Sequence, residues 1–90
     1  MTAYVYMLLC GDGSLYTGWT DDLQQRLAAH RMGRGAKYTR GRGPLELVYS
    51  EELPDKSAAM KREYAIKRLS RSQKLQLCKN KITVNLQSGL

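Results

Sequence analysis

The 90-residue chain has no phenylalanine, one tryptophan, one histidine, two prolines and two cysteines. Without phenylalanine, apolar packing rests on Leu, Ala, Val, Met and six tyrosines, whose hydroxyls need partners when buried. Cys10 and Cys78 are too few and too far apart for a metal motif or a disulfide framework. Two reduced thiols are the expectation. The longest apolar run, Tyr4 to Cys10, falls far short of the ~20 residues that a membrane span requires. No basic n-region accompanies it, so no secretory signal is expected and a cytoplasmic location is. Acids are scarce too. Eight Asp plus Glu face fifteen Lys plus Arg, for a net charge of +7 and a pI near 9.7. Such an excess favours a polyanionic partner, most often nucleic acid. Neither an internal repeat nor a linker breaks the chain, which reads as one small domain over 1–80 with a frayed tail over 81–90.

What is present centres on a hairpin from Tyr4 to Thr20. Tyr4, Tyr6, Leu8 and Cys10 alternate with Val5, Met7 and Leu9, as in a strand. Both faces are apolar, which predicts a central strand covered on both sides. Gly11-Asp12-Gly13 is a turn signal, and Ser14 to Thr20 is the return strand. A three-residue loop pairs Cys10 with Ser14, Leu8 with Tyr16 and Tyr6 with Gly18. Tyr6 and Tyr16 then share a face as diagonal neighbours, roughly 7–8 Å apart. Gly18 would leave open space beside Tyr6, suited to a ligand. A slip of one residue would put the tyrosines on opposite faces.

Thr20 reads as an N-cap, with Asp21 and Asp22 in the first turn of a helix reaching Arg31. Leu23, Leu27 and Ala28 are its expected buried positions. Arg26 and His30 are four apart and share one face. His30, the one histidine of the chain, suits proton transfer; the alternative is an exposed arginine and a boundary histidine. A glycine-punctuated loop follows, with five cations and no acid between Arg31 and Arg42. Phosphate contact and base stacking through Arg34, Lys37, Tyr38, Thr39, Arg40 and Arg42 are expected; the alternative is a solvated loop.

Leu45 to Ser50 reads as a third strand, with Leu45, Leu47 and Tyr49 on one face and an acidic connector after it. A helix over about Ser57 to Leu69 and a shorter one over Ser70 to Asn80 complete the elements. In the last helix Leu75, Leu77 and Cys78 are its apolar positions, and Lys74 and Lys79 its exposed ones. From Lys56 to Leu90 nine Lys or Arg accompany one acid, Glu63. Ala59, Met60 and Ile66 lie at helical spacing from it, so Glu63 points inward. A carboxylate there needs a partner: Lys67 at plus four, Arg26, or a hard divalent cation.

Tyr4-Val5-Tyr6, then Tyr16-Thr17-Gly18, then Arg26-x-x-x-His30, then Glu63: this ordered set resembles the GIY-YIG endonuclease domain. Within it the chain is most similar to the short stand-alone bacterial members, which share the AKYT-type stretch at Ala36 to Thr39. The resemblance covers residues 1 to about 80. It implies an α+β fold, a small three-stranded antiparallel sheet flanked by helices. It also implies hydrolysis of DNA phosphodiester bonds by one divalent metal, Mg²⁺ or Mn²⁺, held by Glu63, in DNA repair or recombination. Tyr4 stands where the family's first triplet has glycine, and Asn80 is the counterpart weighed for a late asparagine in some members.

The residue types agree with that chemistry. Arg26 would neutralise charge on the pentacovalent transition state. A phenol with a pKa near 10 is a poor base alone. With cations nearby and His30 to take its proton, Tyr6 is the candidate base. Tyr16 would share the network and position the water or phosphate. Gly18 and Lys67 join the loop residues as expected nucleic-acid contacts, with DNA preferred over RNA and a monomer expected. The rival reading is a non-catalytic nucleic-acid-binding module, or an interaction subunit acting with a partner protein.

Overall fold

The structure, a computed structural model, describes residues 2–88, and their side chains through Lys79. Its elements run β1 (Ala3–Leu9), β2 (Leu15–Thr20), α1 (Leu23–Arg31), β3 (Glu46–Leu53), α2 (Lys56–Lys67) and α3 (Arg71–Ser88). The three strands form an antiparallel sheet in the order β2-β1-β3. This is the expected α+β architecture with β1 in the centre. No helix among the described residues is long and apolar enough to cross a membrane.

The hairpin turn sets the register. Cys10 N–H donates to the Ser14 carbonyl at 2.9 Å, and Gly13 N–H to the Cys10 carbonyl at 2.9 Å. Gly13 has φ of +85°, a left-handed conformation that glycine adopts without a Cβ clash. Asp12 accepts from Ser14 N–H at 3.0 Å, a side-chain turn that pins the loop length. Tyr6 therefore pairs with Gly18 and Leu8 with Tyr16.

The odd-numbered face of β1 builds the core. Ala3, Val5 and Met7 pack with Tyr49, with Ala59 and Ile66 of α2 and with Cys78 of α3, all buried. Each large apolar side chain removed from water there contributes about 1.5–3 kcal/mol. Met60 is exposed, so the apolar face of α2 is narrower than its spacing suggests. In α3 Leu75 is exposed and Lys74 half-buried, the reverse of the sequence expectation.

Thr17 pairs with Met7, is buried, and its Oγ1 has no hydrogen-bond partner among the described residues. An orphaned buried hydroxyl destabilises a fold by about 1–3 kcal/mol. Thr17→Val should therefore raise the melting temperature, by roughly 4–8 °C per kcal/mol recovered in a domain of this size. Thermal unfolding followed by circular dichroism measures this. An unchanged or lower melting temperature would show that the hydroxyl has a partner in solution.

Several element boundaries differ from the sequence expectation. Asp22, not Thr20, caps α1: its carboxylate accepts from Gln25 N–H at 3.1 Å. Thr20 Oγ1 instead accepts from Asp22 N–H at 3.1 Å in the turn before the helix. Ala28 is exposed, and His30 is the buried residue of α1. Asp55 caps α2, accepting from Ala58 N–H at 2.8 Å. Glu51 and Glu52 belong to β3, not to a connector. Glu51 accepts from Tyr49 Oη at 2.7 Å and from Arg62 Nε at 2.8 Å, which ties α2 to β3.

A bulge between Met7 and Leu8 pairs Met7 with Tyr49 but Leu8 with Leu47. Leu47 and Tyr49 thus lie on opposite faces, contrary to simple alternation. The helix expected to end at Asn80 continues to Ser88. The side chain of Asn80 and residues 89–90 lie outside what is described.

Candidate active site

The even-numbered face of β1 carries Tyr6, which is 1% exposed. Tyr16 reaches it from β2, with ring centroids 6.3 Å apart. α1 lays His30 against both rings, at 5.6 Å from Tyr6 and 5.2 Å from Tyr16. Tyr6 Oη lies 2.7 Å from His30 Nε2. The other ring nitrogen, Nδ1, lies 2.8 Å from Thr39 Oγ1, and Thr39 Oγ1 donates to the Ala36 carbonyl at 3.1 Å. Tyr6, His30 and Thr39 are all essentially buried, while Tyr16 is half-buried. Behind His30 and Thr39 the basic loop borders a half-open pocket of about 250 Å³ that also touches Arg31 and Pro44.

Burial raises the Tyr6 pKa most, and Tyr16 raises it further; Arg26 lowers it, and Glu63 raises it. The phenol is therefore firmly protonated at neutral pH. Burial also lowers the His30 pKa, and the Arg26 charge lowers it again, leaving a neutral imidazole able to accept a proton. Arg26 is exposed, and its Nη1 donates to the Gly35 carbonyl at 3.2 Å. Gly35 is needed for close packing, because a Cβ there would come within 2.4 Å of the His30 ring.

The lowered His30 pKa has a sign that can be checked. Below its ordinary value near 6.5, the unfolded chain binds a proton that the folded chain resists. Stability must then fall as pH falls through that value. The melting temperature should drop between about pH 7.5 and 5.5, and the drop should shrink in His30→Gln. Equal slopes in the two proteins would contradict the assignment.

Glu63 comes from α2, whose core residues lie under the other face of the sheet, yet its charge still acts on Tyr6. Its side chain is 20% exposed and pairs with Lys67 Nζ at 3.3 Å, four residues on. Among the described residues no three His, Cys, Asp or Glu cluster to hold a metal. Mg²⁺ needs no such cluster. It keeps several waters and binds through one or two carboxylates plus substrate phosphate. The Lys67 end of the pair is half-exposed and screened by water, so a hard divalent cation could compete with it for the carboxylate. The donor set fits a hard cation and not a structural zinc.

Some sequence-expected contacts lie elsewhere. Gly18 does not open a ligand space: a Cβ there would meet Tyr6 Oη at 2.7 Å and Tyr16 at 3.0 Å. The glycine is what lets the two phenol rings close over β2. Thr39 is 2% exposed and faces His30 rather than solvent. Arg34, Lys37, Tyr38 and Arg40 are exposed.

Tyr38 stacks on Tyr16 at 5.8 Å, and the Arg42 guanidinium lies 4.5 Å above the Tyr38 ring. Arg42 also forms an ion pair with Asp12 of the hairpin turn. The loop thus borrows an acid from thirty residues away, which the local charge count misses. Ser14 and Arg42 together hold the Asp12 carboxyl at about 2.

Comparison with known proteins adds a family. The profile of the GIY-YIG catalytic domain matches residues 2–76. A UPF0213 protein of Clostridium perfringens is 60% identical over 78 residues, covering 87% of this chain and 84% of that protein. A UPF0213 protein of Natronomonas pharaonis is 57% identical over 74 residues, covering 82% and 87%. The solution NMR structure of a UPF0213 protein from Bacillus halodurans superimposes with a TM-score of 0.60 at 53% identity, covering 90% of this chain and 86% of that one. An NMR structure of an E. faecalis protein gives 0.62 at 43% identity, covering 89% and 85%.

Proposed function

The chain belongs to the GIY-YIG catalytic domain family, and from that premise we propose that it hydrolyses DNA phosphodiester bonds with one divalent cation, Mg²⁺ or Mn²⁺, at Glu63. The observation that carries the reading is the buried Tyr6–His30 pair at 2.7 Å, under the opposing charges of Arg26 and Glu63. A packed tyrosine needs neither a neutral histidine on its hydroxyl nor a carboxylate and a guanidinium within electrostatic reach.

Protein side chains do the following. Tyr6 passes its phenol proton to His30 Nε2 while its oxygen takes a proton from the attacking water. Burial and Arg26 keep His30 neutral beforehand, so Nε2 is free to accept, and the charge it gains must be offset as the phosphate and the phenolate oxygen draw near. Arg26 stabilises the phenolate character of Tyr6 and the charge on the phosphate. Tyr16, half-buried against the His30 ring, orients the water or phosphate. Glu63 would hold the cation, which when bound would supply Lewis-acid stabilisation of the phosphate charge. Arg34, Lys37 and Arg40 contact the phosphate backbone, and the net charge of +7 makes binding weaken steeply with salt.

The test is single-turnover cleavage of duplex, nicked, branched and single-stranded DNA, with matching RNA, in Mg²⁺ or Mn²⁺ and in EDTA. Metal-dependent cleavage of at least one DNA form is expected. Salt-sensitive binding to every substrate with no cleavage of any would favour a non-catalytic binding module instead.

A further inference from the structure

Thr39 lies in the basic loop, yet its side chain is withdrawn from any nucleic acid. It is 2% exposed, and its hydroxyl lies 2.8 Å from His30 Nδ1. A threonine hydroxyl has one hydrogen. Here that hydrogen goes to the Ala36 carbonyl at 3.1 Å, because a carbonyl can only accept. Thr39 Oγ1 must then receive a hydrogen from Nδ1. A neutral imidazole carries one N–H, so Nε2 is left as an acceptor, facing Tyr6 Oη at 2.7 Å. The chain of bonds has a single direction: Tyr6 O–H to Nε2, Nδ1–H to Thr39, Thr39 O–H to the Ala36 carbonyl.

We propose that Thr39 is a positioning residue that holds His30 in the Nδ1–H tautomer, with Nε2 open to the Tyr6 proton. This deepens the catalytic reading above and rests on it for its consequence, though not for its structural content. With the other tautomer His30 would donate to Tyr6 and could not take its proton. On transfer the Tyr6 O–H bond breaks and an Nε2–H bond forms. The positive charge then sits on an imidazolium whose Nδ1–H is already bound to Thr39. Nothing else in the chain of bonds has to move, so the acceptor is set before substrate arrives. The loop therefore has two tasks: Arg34, Lys37 and Arg40 are exposed, while Thr39 faces back to orient the base's partner.

The test uses the whole chain, labelled with ¹⁵N-histidine. His30 is the only histidine, so long-range ¹⁵N–¹H correlations report its tautomer without overlap. At pH 7.5 the parent protein and Thr39→Ser should show Nδ1–H, and Thr39→Val should shift towards Nε2–H. In the cleavage assay Thr39→Val should lower kcat by roughly 10²-fold with KM nearly unchanged, and Thr39→Ser should restore most of it.

An Nε2–H tautomer in the parent protein would overturn the proposal. So would a tautomer in Thr39→Val identical to that of the parent. If Thr39→Val does not fold, the parent and Thr39→Ser spectra still decide the matter. If the tautomers behave as stated but the parent protein cleaves nothing, the tether stands and the catalytic reading fails.

Discussion

Glu63→Gln is expected to lower single-turnover DNA cleavage by about 10³-fold or more, equivalent to about 4 kcal/mol of transition-state stabilisation. The change keeps the shape of the side chain and removes the charge that would hold the cation. Stability should scarcely move, because the carboxylate's ion-pair partner is Lys67 at 3.3 Å, a half-exposed side chain on the same helix. DNA binding without metal should hold or rise slightly, since Lys67 is released from its pair. Titrating Mn²⁺ into the parent and the variant, by calorimetry with DNA present, tests the same role without turnover. Equal cleavage by the two proteins would remove Glu63 from the reaction. A large fall in melting temperature would instead mark it as structural.

Tyr6→Phe carries the second large effect, a fall in cleavage of roughly 10²–10⁴-fold. It differs from Glu63→Gln in also weakening the fold. The phenol oxygen is the partner of His30 Nε2 inside the protein, and a buried acceptor left without a donor destabilises by about 1–3 kcal/mol. The melting temperature should therefore drop, by roughly 4–8 °C per kcal/mol. Tyr16→Phe provides the contrast. Tyr16 is half-buried and touches His30 through its ring, so its loss should spare stability. If Tyr16→Phe abolishes cleavage while Tyr6→Phe leaves it intact, the base is Tyr16 and Tyr6 is the scaffold beneath it.

The hairpin was legible in the sequence because a three-residue turn admits one register. Once Cys10 faces Ser14, alternation places Tyr6 and Tyr16 on one face without knowledge of the rest. The Arg26–His30 spacing was legible for the same reason, since helical geometry is local. Glu63 stood out as the one acid in a basic stretch. The local pattern failed where distant segments meet. A bulge at Met7 and Leu8 cannot be read from alternation in β3 alone. The acid that neutralises Arg42 comes from the turn of another element. Gly18 looked like an opening because its own sequence says only that a side chain is missing, not that two phenol rings fill the gap.

Alternation, helical spacing and turn chemistry are enough to place most elements of this protein, to pair its hairpin and to name its candidate acids, bases and cations. These follow from backbone periodicity and from the chemistry of single side chains. Which of those groups are dry, and which way their hydrogens point, depends on the packing of the whole fold. Tyr6 and His30 are shifted in pKa because α1 and the basic loop close over β1 and shut out water. Thr39 changed from an expected DNA contact into the tether of His30 because that loop folds its hydroxyl inward. Burial and hydrogen-bond direction belong to neighbours brought from nine and twenty-four residues away, and no window of sequence contains them.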